Sequence, residues 1–260
     1  MSIYLARNGK MLTRLNGTRY FGSIVTPTPP PPLGAYTIRL LYKPNVVPNF
    51  YKGTGVQLST NPNVWDLTYE NSDWNHLLCE RDPEYGYIIQ NDILLEVLDA
   101  ETSGVTNMYG LFDYCTALRN VALFDTSNAT TMQDMFMDCY SITSVPLFNT
   151  SKVKYMIGMF INTSIVSIPN FDTAKVEDMR TMFRYCRSLT TVPLLNTSKV
   201  QNVMDMFEDC VNVESGALAL YQQLSTQRTP PATYSGAFKN CGSNTQTGAA
   251  ELAQIPDTWK

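Results

Sequence analysis

Residues 126–146 read TSNATTMQDMFMDCYSITSVP, and the same pattern returns along the chain. Its general form is Thr-Ser-x-Val-x-x-Met-x-x-Met-Phe-x-x-Cys-x-x-Leu-x-x-Val-Pro. Copies begin at Thr102, Thr126, Thr150, Thr173 and Thr197, at intervals of 24, 24, 23 and 24 residues. Each copy carries a phenylalanine and a corner residue: Phe112 and Cys115, Phe136 and Cys139, Phe160 and Thr163, Phe183 and Cys186, Phe207 and Cys210. A weaker copy runs from Tyr234 to Phe238 and Cys241. Self-similarity at a fixed period marks a stacked-repeat architecture, so the period is read before any local propensity.

Within one unit, Thr or Ser after Asp or Asn reads as a helix N-cap, because a short side-chain oxygen accepts a free backbone N–H. Apolar residues then follow at i, i+3, i+6 and i+7, the stripe of a short helix. They are Ala129, Met132, Met135 and Phe136 in the second copy, and Val176, Met179, Met182 and Phe183 in the fourth. A turn leads to a short strand signal, Ile142 to Pro146 or Leu189 to Pro193, which the proline limits. One such unit cannot bury its apolar face alone, whereas stacked neighbours can. The expected fold is an α/β solenoid of leucine-rich-repeat type with short parallel strands and short helices. A small β-rich cap domain and an extended N-terminal anchor would precede it.

The units resemble the BspA-like leucine-rich repeats of bacterial surface proteins. Phe124-Asp125-Thr126-Ser127 and Phe171-Asp172-Thr173 carry the resemblance, which extends over about residues 94–241. It implies a curved right-handed solenoid used for adhesion or protein contact.

Outside the repeats the chain divides by composition. Residues 1–26 form a basic anchor segment with Arg7, Lys10, Arg14 and Arg19 as candidate docking residues. Ile3 to Leu5 and Met11-Leu12 read as short strands, with turns at Asn8-Gly9 and Asn16-Gly17. Residues 27–34 are a proline-rich linker, stiff in the polyproline II conformation. Residues 35–93 form the expected cap domain, with Tyr36 to Tyr42 alternating as a strand, and Trp65, Tyr69, Trp74 and Tyr85 supplying aromatic bulk. The solenoid is assigned to 94–215 and a C-terminal cap to 216–260, with a helix at Ala217 to Leu224.

The formal charge of −4 is uneven. Seven cations and no acid precede Asp66, whereas the rest of the chain holds 12 basic and 23 acidic side chains. The negative main body disfavours nucleic acid, while the basic start suits an acidic docking surface. Hydrophobic residues make up 44%, which places the chain among globular proteins. No apolar run in Met1 to Thr26 suits a secretory signal, and no stretch has membrane length. The chain is therefore expected to be made in a cytoplasm, with its cysteines reduced, and to leave it only within a particle.

Candidate chemistry is sparse. Cys115, Cys139, Cys186, Cys210 and Cys241 recur once per unit rather than in the close pairs that metal sites need, so a ladder of buried thiols is expected. Cys79 stands outside that series, and His76, the one histidine, has no nucleophile motif beside it. Asp125, Asn149, Asp172 and Asn196 align and suit calcium by chemistry, but capping explains them. The sequons at Asn128, Asn149, Asn162 and Asn196 matter only in a secretory pathway. Glu80, Asp82 and Glu84 are the one acidic cluster off the repeat and read as a solvated loop. The expectation is a non-enzymatic protein with no catalytic, cofactor or metal site. Anchor, spacer and repeat surface predict a phage virion appendage that docks to other virion proteins through its N-terminus. The repeats would contact a host glycan or protein, in a homo-oligomer. The alternative is a bacterial cell-surface adhesin or lectin-like module.

Overall fold

The computed structural model describes residues 36–46, 48, 54–58, 61–68 and 92–260 in full, and the backbone of five further strands. The chain divides into two units, Met1–Pro32 and Leu33–Lys260.

In the first unit, β1 (Ile3–Leu5), β2 (Met11–Leu15) and β3 (Thr18–Gly22) form an antiparallel sheet in the order β1-β2-β3. The expected extended anchor is thus a small antiparallel sheet, in which Leu15 pairs with Thr18.

The second unit opens with β4 (Thr37–Tyr42), β5 (Thr54–Leu58) and β6 (Asn61–Thr68), followed by the isolated pair β7 (Glu80–Arg81) and β8 (Ile88–Ile89). Next come β9 (Leu94–Glu101) and the two-residue β10 (Asn120–Val121). A single open mixed sheet results, in the order β10-β9-β4-β6-β5, with only β10 parallel to its neighbour. Central β4 is buried along almost its whole length, including Arg39. That buried cation is satisfied across the register by Asp66, through Nε–Oδ1 and Nη2–Oδ2 bonds of 2.7 Å each. Such a bidentate charge-assisted pair also fixes orientation. β9 then hands the chain to the repeats.

The repeats correct the expected fold class. Among the described residues there are only two α-helices, α1 (Ala217–Thr226) and α2 (Gln246–Leu252), and both follow the five clear copies. Within the repeats the one strand is β10, and the expected helix and strand of each unit are replaced by consecutive tight turns. The leucine-rich-repeat reading fails for a local reason. Each coil holds two residues in the left-handed region, four positions apart: Asp134 and Asp138, Gly158 and Asn162, Thr181 and Tyr185, Asp205 and Asp209. An α-helix needs an unbroken right-handed run, so it cannot form across them. The local bonds instead close four-residue turns between residues three apart, as in Val105 N–H to Thr102 O at 2.8 Å, Cys115 N–H to Phe112 O at 3.0 Å and Leu118 N–H to Cys115 O at 3.0 Å. A period of three therefore generates the apolar spacing that resembles a helical stripe.

Other N–H groups reach the neighbouring coils. Met132, Asp134, Phe136 and Asp138 donate to the carbonyls of Tyr155, Ile157, Met159 and Ile161 at 2.8–3.0 Å. Asn107, Thr131, Tyr155, Asp178, Asn202 and Thr233 form one line of parallel bridges whose first four steps are 24, 24, 23 and 24 residues. Inside, Phe112, Phe136, Phe160, Phe183, Phe207 and Phe238 stack face to face, with centroids 5.1–5.9 Å apart and planes within 19°. Each ring is fully buried. Burial of such a side chain stabilises by about 2–3 kcal/mol, and an offset aromatic pair adds about 1 kcal/mol.

The threonine that opens each unit is buried too, and it does not cap its own turn. Its hydroxyl donates across to the next coil: Thr102 to Asp125 O, Thr126 to Asn149 O (2.9 Å), Thr150 to Asp172 O (2.8 Å) and Thr173 to Asn196 O (3.0 Å). The capping role belongs to the residue before it. Asp125, Asn149, Asp172 and Asn196 each accept from the N–H two residues on through Oδ1, at 2.8–3.1 Å. These are Asx turns.

At the far end α1 replaces the next return segment. Gln227 Oε1 accepts from Thr197 at 2.9 Å, and Gln223 donates to Leu195 O at 2.8 Å. Trp259 ends the aromatic stack against Tyr234, with centroids 4.3 Å apart, and its carbonyl accepts from Phe238 N–H at 2.9 Å.

Candidate functional site

Among the described residues, the thiols face inward. Cys115, Cys139, Cys186, Cys210 and Cys241 are free thiols and fully buried. Cys139, Cys186 and Cys210 donate to the carbonyls of Phe112, Phe160 and Phe183 in the preceding coil, at 3.0, 2.9 and 2.8 Å. Burial pushes the Cys186 and Cys241 thiols up to about 12 and holds Cys210 well above its usual value. A thiol that stays protonated is neither a nucleophile nor a metal ligand. No group of three or more metal-ligating side chains stands together among the described residues.

Two polar clusters lie along the stack. Asp113 is buried, and its carboxyl is pushed up to about 8, chiefly by that burial and then by the charges of Asp134 and Asp138. Glu208, also buried, is clamped between Arg184 Nε at 2.5 Å and Lys239 Nζ at 2.6 Å, from the coils on either side. One buried carboxylate is thus shared by two cations, and the triad ties three coils to one register.

The outer surface offers a different feature. After Pro146, Pro169 and Pro193 comes one exposed residue and then one buried residue, as in Leu147-Phe148 and Leu194-Leu195. Leu123, Leu147 and Leu194 are 63, 58 and 81% exposed and occupy equivalent places in their coils, and Asp99 stands at the corresponding place in β9. Asn170 interrupts this row between Leu147 and Leu194. There a groove of ≈ 550 Å³ opens, lined by Asn170, Phe171, Leu194, Leu195 and Gln223 among others. Beside the row, on the Asx-turn flank, run exposed Asp125, Asn149, Asp172 and Asn196, and then exposed Lys152, Lys175 and Lys199. The sequence carries a signal for this row, the residue following Pro146 and Pro193, but strand periodicity masks it by treating these leucines as strand interior.

Of the anchor residues, Arg14 and Arg19 pair across β2 and β3, while Arg7 and Lys10 lie outside the described residues. His76, Cys79, Asp82, Glu84 and the proline-rich linker also lie outside them, and Glu80 is placed by its backbone alone in β7. The ladder residues Phe112, Phe136, Phe160, Phe183 and Phe207 and the five thiols are brought together in one column each. No helix among the described residues is long and apolar enough to cross a membrane.

No curated protein and no solved structure matches the chain significantly. The repeats themselves are matched by a family model, described as "Mycoplasma protein of unknown function, DUF285", at residues 90–167 and 162–227. Together these spans exceed half of the 260 residues, and the chain belongs to that family.

Proposed function

We propose that this is a non-enzymatic binding and structural protein, a phage virion appendage such as a head fibre, capsid decoration or tail-fibre component. It docks through its N-terminal unit and displays the repeats toward a host surface or neighbouring subunits. The observation that carries this reading is the exposed row of Leu123, Leu147 and Leu194 with its charged flank, beside five thiols that are turned inward. A surface that repeats at each coil binds by extended area rather than by an enclosed pocket. The separate compactness of Met1–Pro32, with its basic residues, supports a division into anchor and display parts.

Incorporation tests the proposal. Particles produced with the whole chain should carry it, and particles produced with a chain lacking Met1–Pro32 should not. Retention of the shortened chain would contradict docking by that unit. The second reading, a bacterial cell-surface adhesin, is favoured by the resemblance to BspA-like surface proteins. It predicts fractionation with the cell envelope instead.

A further inference from the structure

We infer that the groove beside Asn170 is a binding site for one neutral sugar residue of a surface glycan. The inference rests on the proposed display role and gives it a ligand. It is read on the isolated chain, so it fails separately from particle docking.

The groove sits where the repeat departs from its own pattern. Leu123, Leu147 and Leu194 hold one position in their coils, and the coil between the last two places the polar Asn170 there. The ≈ 550 Å³ space lies within the range of about 300–1,000 Å³ that takes small ligands. Buried Phe171 and Leu195 line it together with Leu194, which is 81% exposed. The other exposed residues of the lining are all polar, namely Asn170, Asp172 and Asn196.

The bonds already made fix what these residues can offer. Asp172 and Asn196 hold the same place in successive coils, about 4.8 Å apart. Each commits Oδ1 to its own Asx turn, accepting from Ala174 N–H at 3.0 Å and Ser198 N–H at 3.1 Å. Asp172 thus keeps Oδ2 as an acceptor and Asn196 keeps Nδ2 as a donor, beside the Asn170 amide, which does both. Gln223 donates to Leu195 O and Thr197 Oγ1 at 2.8 Å each and keeps Oε1 as a further acceptor.

Hydroxyl groups donate and accept alike, so adjacent hydroxyls on one ring match an acceptor and a donor one coil apart. The C–H face of that ring would lie on Leu194. Charge selects further: the lining holds one carboxylate and no cation, which disfavours an anion. A protein partner would seat an aromatic or arginine anchor in a closed apolar pocket. Here the exposed lining is three polar residues and one leucine.

NMR titration of the isotope-labelled full-length chain tests this with glucose, galactose, mannose and N-acetylglucosamine. Each is taken to about 50 mM, because a ligand this small binds weakly. At least one should give saturable shifts at the amides of Asn170, Asp172 and Asn196. N170L fills the groove with the side chain that equivalent positions carry, and should weaken binding at least about tenfold. D172N keeps the Asx turn, as Asn149 and Asn196 do, but makes the acceptor neutral, and should weaken binding about threefold or more. Glucuronate, with a carboxylate in place of the primary alcohol, should bind more weakly than the best of the four sugars. If N170L fails to fold, as judged by circular dichroism, D172N decides. No saturable shift with any of the four, shifts centred away from the groove, binding unchanged by a folded variant, or tighter binding of glucuronate would each overturn the inference. Sugar binding by a chain that particles do not carry would support the site and count against the virion reading alone.

Discussion

Thr163 occupies the corner at which the neighbouring coils place a cysteine, and its coil is one residue short. Buried Ile165 follows two positions later, where Ile142 and Leu189 follow Cys139 and Cys186 after three. The hydroxyl takes over a donor role at this corner. It bonds Phe160 O at 3.0 Å and meets Cys186 Sγ at 3.4 Å. Thr163→Val keeps the shape and removes the donor. Denaturant titration should show a loss of about 1–2 kcal/mol, with Thr163→Ser closer to wild type; a T163V protein as stable as wild type would contradict this role. Asp113 supplies a pH-dependent prediction. An acid raised from 3.8 to about 8 in the fold contributes its stability fully below the unfolded value and loses it as pH climbs through about 8. Thermal unfolding of D113N against wild type should therefore shift in the variant's favour between about pH 4 and pH 8. A difference that stays flat with pH would count against a protonated Asp113.

The coil is where reading from sequence succeeds in part. The 24-residue interval between threonines is the spacing of the bridges between coils, because register is set by residues that repeat. The path within each coil was not legible. Left-handed positions advertise themselves when they are glycines, as at Gly110, Gly158 and Gly236, but here they are also Asp, Asn, Tyr and Thr. Asp and Asn tolerate that conformation and equally signal a cap, so the same residues suit a helix start and a turn. The apolar row was hidden similarly, since alternation across Pro146-Leu147-Phe148 does not say which residue faces out. Gly158 and Thr181 hold equivalent left-handed positions in adjacent coils and make opposite predictions. A Cβ at Gly158 would collide with Asp134 Oδ1, so Gly158→Ala should cost about 1–3 kcal/mol. Thr181→Gly removes a branched side chain from an unfavourable φ of 55° and should gain up to about 1 kcal/mol. Equal effects of the same sign in the two variants would contradict the turn assignment.

Across the second unit, stability propagates from coil to coil, so its ends matter as much as its middle. Trp259 covers the last aromatic ring, Phe238. Trp259→Ala should cost about 3–5 kcal/mol, and hydrogen exchange should quicken first at Phe238 and Cys241 and only later toward Phe136. Uniform loss of protection would show instead that the stack unfolds as one block. The outward face of this stack is the basis of the proposed display role, and peptide mass spectrometry of purified phage particles and of host cell envelopes, from the same culture, tests that role most directly. The account predicts peptides from both the Met1–Pro32 unit and the repeats in the particles; finding the chain only in the envelope fraction would contradict it.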